Sequence, residues 1–290
     1  MLKRALALVF FLIFGNVLVW SRIAFRSSPE AGIHFLDVGQ GDAELSILPS
    51  GAALLTDTGP DSRVIRELGP LLPEKELAAV FISHPQKDHF GGLAAVLQNY
   101  RVGIVFWNGG FVAGEAELPW AGLTEDISRR GIPLLALGAG DRIRIGDGRI
   151  FVFAPSPTLR ASAEPNDSSL VFKMEFAGMS ALMTGDIGFG AENSLVGRLE
   201  RSGAVGGQDL RADILKVPHH GSKNSTGAAF LASVHPRLAV IEVGENRYGH
   251  PAPATLERLE AAGAALLRTD LAGTVSVLPR DGVLRIFTGK

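Results

Sequence analysis

From Gly32 onwards, hydrophobic and polar positions alternate in short runs that predict strands, interleaved with segments of helical period. GIHFLDV, AELSILP and AALLTD, between Gly32 and Asp57, predict three strands joined by tight turns, the second turn carried by Pro49-Ser50-Gly51. LAAVFIS (Leu77–Ser83) is nearly all apolar and predicts a buried strand, followed by a polar loop and a helix over Gly91–Asn99. RVGIVFW predicts another strand, Leu118–Arg130 a helix, and RIRIGDGRIFVFAP a hairpin turning at Asp147-Gly148. In the second half, SSLVFKMEF and MSALMTGD predict a hairpin, AENSLVGRLERSG a helix and ADILKV a strand. A helix over Ser225–Val234, the strand LAVIEV, a helix over Pro253–Ala262 and the hairpin GTVSVLPRDGVLRIF complete the pattern. No repeat, low-complexity stretch or long linker interrupts it. The expectation is one α/β domain over residues 32–290, two mixed sheets packed face to face with helices outside.

The first 26 residues follow a different pattern. Lys3 and Arg4 precede an apolar run from Ala5 to Trp20, broken only by Gly15 and Asn16, and Arg22 and Arg26 follow it. A membrane crossing takes roughly 20 residues, which Trp20 and Ile23 help to supply at the interface. A secretory signal and an uncleaved anchor compete here. Ser27–Ala31 offers a poor cleavage site, so residues 1–26 are expected to be an N-terminal transmembrane anchor or uncleaved signal, touching the membrane through residues 5–23. The flanking charges lean towards an extracytoplasmic catalytic domain.

Composition narrows the chemistry. The chain has 290 residues, 28 Lys+Arg against 30 Asp+Glu, a formal charge of −2 and no cysteine. A disulfide scaffold, a thiolate metal site and a cysteine nucleophile are excluded, and so is a uniformly basic nucleic-acid coat. Residues able to bind a metal or move protons gather instead at predicted strand ends. His84-Pro85-Gln86-Lys87-Asp88-His89 follows a buried strand, Asp186 ends LMTGD, His219 and His220 close KVPHHGS, His250 lies in RYGHP, and Asp57 ends LLTD. Each has a plain structural alternative: Asp88 as a helix N-cap, Asp186 facing a helix terminus or an arginine, Asp57 capping a turn. Their recurrence at several strand ends favours a shared site. With imidazole and carboxylate as the donors, the expected metal is Zn²⁺ or Mn²⁺. Such a cation lowers the pKa of bound water from 15.7 to about 7, so hydrolysis is the expected reaction type.

FLDVGQGDAE, LLTDTG, SHPQKDHFGGL, NDSSLVFKMEF, LMTGD, LKVPHHGSKNS and YGHP occur in an order that resembles the metallo-β-lactamase-like domain of ComEC-type competence proteins. The resemblance runs from about Ile33 to Thr274. It implies a metallo-β-lactamase-like four-layer αββα sandwich and a metal-dependent hydrolase, a phosphodiesterase or nuclease acting on DNA during competence or DNA uptake. Carried over by position, it implies His84, Asp88, His89, Asp186 and His250 as metal ligands and Asp57 as their support. His219 or His220 would then protonate the leaving group or grip the phosphate, with Asp88 also serving catalysis. Gln86 stands where a ligand histidine is usual, and Asn166 or Asp167 near where another would be, so these are weak ligands or supports. The expectation is one firm metal site and a second, weaker one. Lys87, Lys216, Lys223 and Ser222 flank the motifs and could meet a phosphate. The sequence carries one hydrophobic segment and no multi-helix channel region, so the expectation is a stand-alone, membrane-tethered relative of the catalytic domain, with other DNA-uptake components as partners. Two other readings are a small-molecule phosphodiesterase and a non-catalytic tethered DNA-binding module.

Overall fold

The computed structural model of the protein describes residues 14–16, 30–110, 112, 114–162, 164–202 and 209–290. Two compact units divide the chain, residues 1–30 and 31–290. In the first, residues 14–16 are helical, and the rest of the expected anchor, residues 1–26, lies outside the described residues. Among the described residues no helix is long and apolar enough to cross a membrane.

The second unit is built on two sheets. Its strands, in chain order, are β1 (Gly32–Phe35), β2 (Glu44–Ile47), β3 (Ala53–Thr56), β4 (Glu76–Leu77), β5 (Ala79–Ile82), β6 (Arg101–Val102), β7 (Val105–Trp107) and β8 (Leu134–Ala136). After these come β9 (Arg142–Ile145), β10 (Gly148–Ala154), β11 (Val171–Phe176), β12 (Met179–Met183), β13 (Ile214–Lys216), β14 (Leu238–Ile241), β15 (Ala265–Arg268), β16 (Val275–Arg280) and β17 (Val283–Thr288). One sheet has eight strands in the order β17-β16-β1-β2-β3-β5-β7-β8, the other seven in the order β15-β14-β13-β12-β11-β10-β9, and β4 and β6 pair separately. Each large sheet is antiparallel in one half and parallel in the other, the change falling at β3 in the first and β12 in the second.

The two-residue period of the strands sets the layers. Ile33, Phe35, Phe81, Phe172, Met174 and Ile214 point between the sheets and form the central core. The alternate positions Leu45, Leu55, Val80 and Ile82 pack outwards against Leu68, Leu93 and Val96 of helices Arg63–Leu71 and Leu93–Asn99. On the far side, Leu182, Leu215 and Ile241 meet Leu195, Phe230 and Leu259 of helices Phe189–Ser202, Ala228–Val234 and Pro253–Ala261. The order helix, sheet, sheet, helix is the expected four-layer sandwich.

Several boundaries differ from the sequence reading. The β9–β10 hairpin turns at Gly146-Asp147, because Gly146 takes the left-handed φ of 56° and Gly148 already pairs with Ile145. The helix expected from Ser225 begins at Ala228, since the Ser225 hydroxyl is bound to Pro218 O and the backbone N–H groups of Thr226 and Gly227 donate to the Glu192 carboxylate. Helix Arg63–Leu71, which contains Pro70, and the short strands β8 and β15 were not among the predicted elements. In consequence, the carboxyl ends of β3, β5, β12, β13 and β14, with the start of β2, all open onto one edge of the paired sheets, where sites form in open α/β folds.

Candidate metal centre

Close backbone contacts fix the loops on the first sheet. After β5, Ser83 and His84 lead into the single helical turn Lys87–Phe90. Gly91 and Gly92 then let this segment press on the loop after β3: a Cβ at either would lie 2.2 Å from a carbonyl oxygen, that of Pro60 or Thr58 respectively. Thr58 donates to His89 O through its backbone N–H (2.6 Å) and its hydroxyl (3.0 Å), and Asp42 N donates to Asp88 O (3.2 Å). On the second sheet, Asp186 follows β12, and His219 and His220 follow β13 with φ of 50° and 51°. That conformation costs an L-residue roughly 1–2 kcal/mol. It is held by the hydrogen bonds His219 N to Gly185 O (3.2 Å) and His220 Nδ1 to Glu242 O (2.8 Å).

Ligand atoms of Asp88, His89, Asp186 and His220 all lie within 4.8 Å of one another. Each imidazole is anchored from behind. His89 donates through Nδ1 to Asp57 Oδ2 (2.8 Å), and Asp57 also accepts from the Ser83 N–H (2.7 Å) and hydroxyl (2.6 Å). The Nδ1 atoms are thereby occupied, and both Nε2 atoms face the carboxylates: His89 Nε2 is 3.3 Å from Asp186 Oδ2, and His220 Nε2 is 3.4 Å from Asp88 Oδ2. Both Nε2 atoms are buried without a hydrogen-bond partner. Two oriented imidazoles and two carboxylates with such atoms fit a divalent cation of the zinc and manganese class.

Charge inside the cluster is strongly coupled. Burial lowers a histidine, yet Asp186 and Asp42 lift His220 to about 10, and Asp186 and Asp57 hold His89 well above its ordinary value. Asp186 in turn stays well below the usual carboxylate range despite burial, held by His220 and His89. His84 goes the other way: burial, with the charge on His89, pushes it down to about 3.

The remaining predicted residues divide into those near the centre and those turned from it. His84 is fully buried with its ring 4.2 Å from that of His89, but it stands outside the four-residue set, its Nδ1 facing Ser83 Oγ (3.1 Å) and Ser169 Oγ (3.3 Å). His250 is also outside that set, its ring 6.5 Å from His220 and 5.4 Å from His219, on the wall of a cavity of about 420 Å³ that opens onto the centre. Gln86 Nε2 donates to Asn166 Oδ1 (2.5 Å), and Asn166 Nδ2 lies 3.4 Å from His219 Nε2, so these side chains satisfy one another. Asp167 sits beside Gly188 and Gly190 instead. Lys87 is exposed on the cavity wall, while Lys223 is exposed and does not line it. Ser222 is buried, its hydroxyl accepting from Asn224 N.

One expectation is corrected outright. Lys216 is not on the surface to attract phosphate; it is fully buried, because its strand position points between the sheets. Its ammonium is paired with Asp42, lies 3.7 Å from Asp186 Oδ1 and donates to Gly185 O (3.0 Å). Behind it stand Glu44 and Glu242, also fully buried, with burial and mutual repulsion raising Glu44 well above the carboxylate range, and burial and Asp42 raising Glu242 to about 8. Asp42, Glu44 and Glu242 escaped the sequence reading. The available signal was a charge within an otherwise apolar strand, which is tolerated only when paired or neutralised.

Comparison with known proteins follows the same line. The metallo-beta-lactamase superfamily pattern matches residues 45–242. The chain is 31% identical to ComE operon protein 3 of Bacillus subtilis (strain 168) over 86% of its length and 33% of that protein. It is 33% identical to competence protein ComA of Neisseria gonorrhoeae over 89% of its length and 34% of that protein. The chain thus spans about a third of the length of these relatives. Its fold matches the metallo-beta-lactamase fold protein YhfI from Bacillus subtilis with a TM-score of 0.53 at 12% identity, covering 84% of this chain and 99% of that one.

Proposed function

The chain belongs to the metallo-beta-lactamase superfamily, whose fold is that of metal-dependent hydrolases, and from this footing we propose that it hydrolyses phosphodiesters, with DNA handled during uptake as its substrate. The observation that carries the reading is the convergence of Asp88, His89, Asp186 and His220 with two buried, unpartnered Nε2 atoms beside a cavity. These four residues would hold the cation, which when bound supplies Lewis acidity and activates water. Asp57 and Glu242 O keep the two imidazoles turned with Nε2 inwards. At the mouth, His219 is lowered by burial and His250 is pushed down to about 4, so both are neutral at pH 7 and can accept a proton from the attacking water or donate a ring N–H hydrogen bond to a phosphate oxygen. His219 Nε2 faces the Asn166 amide nitrogen at 3.4 Å. The likeness to competence proteins supports DNA as the substrate.

The test is cleavage of a labelled oligonucleotide by the full chain with Mn²⁺ or Zn²⁺. Asp88→Ala is expected to reduce it to background, and His250→Ala to lower kcat by about 10²-fold. Affinity for DNA without turnover of any phosphodiester, whichever divalent metal is added, would replace the enzyme with a tethered binding module.

We further propose that the apolar run Ala5–Trp20 tethers the domain to a membrane with the catalytic unit outside the cytoplasm. The full chain is expected to stay with membranes through an alkaline carbonate wash and to be digested by protease added to spheroplasts. Release by the wash would remove the tether, and protection from the protease would reverse the orientation.

A further inference from the structure

The loop Gly244–His250 presents a large aromatic side chain at the mouth of the metal centre. One residue braces that loop. Asn246 Nδ2 donates to Gly244 O (2.9 Å) and His250 O (2.8 Å), while its Oδ1 accepts from Tyr248 N (3.1 Å) and His250 N (3.0 Å). Both amide protons and the carbonyl are therefore spent inside seven residues, so the loop is held by its own cross-bonds. Gly244 is wedged against the segment before β2: a Cβ there would lie 2.5 Å from Gln40 N.

Tyr248 sits at the tip of this braced loop. It is 77% exposed, lines the cavity of about 420 Å³ together with Lys87, His219 and His250, and has its ring 5.7 Å from that of His250 at an inclination of 32°. A tyrosine ordinarily covers much of its ring, so an open face on a rigid support leaves apolar surface ready to be covered by a ligand. Holding the ring in place beforehand also removes much of the ordering entropy that binding would otherwise lose.

We infer that Tyr248 is the stacking platform for an unpaired nucleobase next to the scissile phosphate, which makes single-stranded nucleic acid the substrate class. The inference rests on the phosphodiesterase reading and deepens it. Within a duplex both faces of a base are covered by its neighbours, whereas an unpaired base can lie flat on the ring. Stacking on an aromatic face is open to every base, so recognition by the platform is tolerant of sequence. Exposed Lys87 on the same cavity wall adds charge attraction for the backbone.

The experiment compares a labelled oligonucleotide with the same strand carrying an abasic tetrahydrofuran unit beside the cut, using the full chain with Mn²⁺. Wild type is expected to favour the intact strand in kcat/KM by about 5- to 100-fold, the range that one stacked base supplies. Tyr248→Ala is expected to bring that ratio close to one and Tyr248→Phe to keep it. A wild-type ratio near one, a ratio unchanged in Tyr248→Ala, or one lost equally in Tyr248→Phe overturns the platform. If wild type turns over neither strand nor methyl p-nitrophenyl phosphate, the enzyme reading fails separately. Fluorescence anisotropy with the same two strands and three proteins then decides the platform by the same ratios, now of Kd. Equal tight binding of both strands by all three proteins would instead mark Tyr248 as a contact for something other than a base.

Discussion

Replacing Lys216 with methionine is expected to destabilise the metal-free protein by about 3–5 kcal/mol, the usual consequence of leaving a buried charge without its partner. Methionine matches the apolar stem of lysine closely, so the loss reports the ammonium and not a cavity. That ammonium is fully buried, paired with Asp42, 3.7 Å from Asp186 Oδ1, and held charged against burial by Asp42 and Asp186. Without it, two ionised carboxylates would remain in the interior facing only each other and the histidines. The double variant Lys216→Met with Asp42→Asn removes one charge of each sign and should recover a large part of the loss. Urea denaturation in EDTA would measure both. A single variant as stable as wild type would show that protonated His89 and His220 offset Asp42 and Asp186 without the ammonium.

Loading the centre with Zn²⁺ at pH 7 is expected to release about two protons per ion, because an imidazole must be neutral to ligate and the carboxylates hold His89 and His220 protonated in the metal-free protein. Apparent affinity should therefore rise by up to about 100-fold per pH unit over this range. The sign for stability follows from the same shifts. Both histidines have folded-state values above the ordinary 6.5, so their contribution is fully present below pH 6.5. It is lost as pH rises towards the His220 value of about 10, and the EDTA-treated protein should weaken over that window. Asp186 is the largest upward influence on both rings. Asp186→Asn should accordingly reduce proton release, weaken ion binding by more than about 100-fold and abolish hydrolysis. Calorimetry in buffers of different ionisation enthalpy measures the protons. Binding heats independent of buffer would mean that His89 and His220 are neutral beforehand.

Much of this architecture was legible in the chain because it depends on local period and on strand ends. Ile33 and Phe35 alternate with His34, and Leu45 and Ile47 with Glu44 and Ser46, so a two-residue period was enough to predict strands and two packed sheets, but not their faces, since His34, Glu44 and Ser46 are buried as well. Asp57, Asp88, His89 and Asp186 could be singled out because polar ligand types at the ends of apolar strands are unusual wherever they occur. The roles of neighbouring residues were not legible. His219, His220 and His250 are equivalent as residue types, and only the left-handed backbone after β13 and the bond from His220 Nδ1 to Glu242 O bring His220 into the cluster of Asp88, His89 and Asp186 while leaving His250 on the cavity wall. Lys216 reads as an ordinary lysine near a motif until the register of β13 turns it between the sheets, onto a carboxylate from the start of β2, 174 residues earlier in the chain. The sequence alone therefore determined where strands lie and where polar, ligand-type residues gather, since both follow from spacing along one strand. Which imidazole joins the carboxylate cluster, and that Lys216 lies behind it, was decided by the tertiary structure, because those choices depend on distances between strands that the chain brings together only on folding.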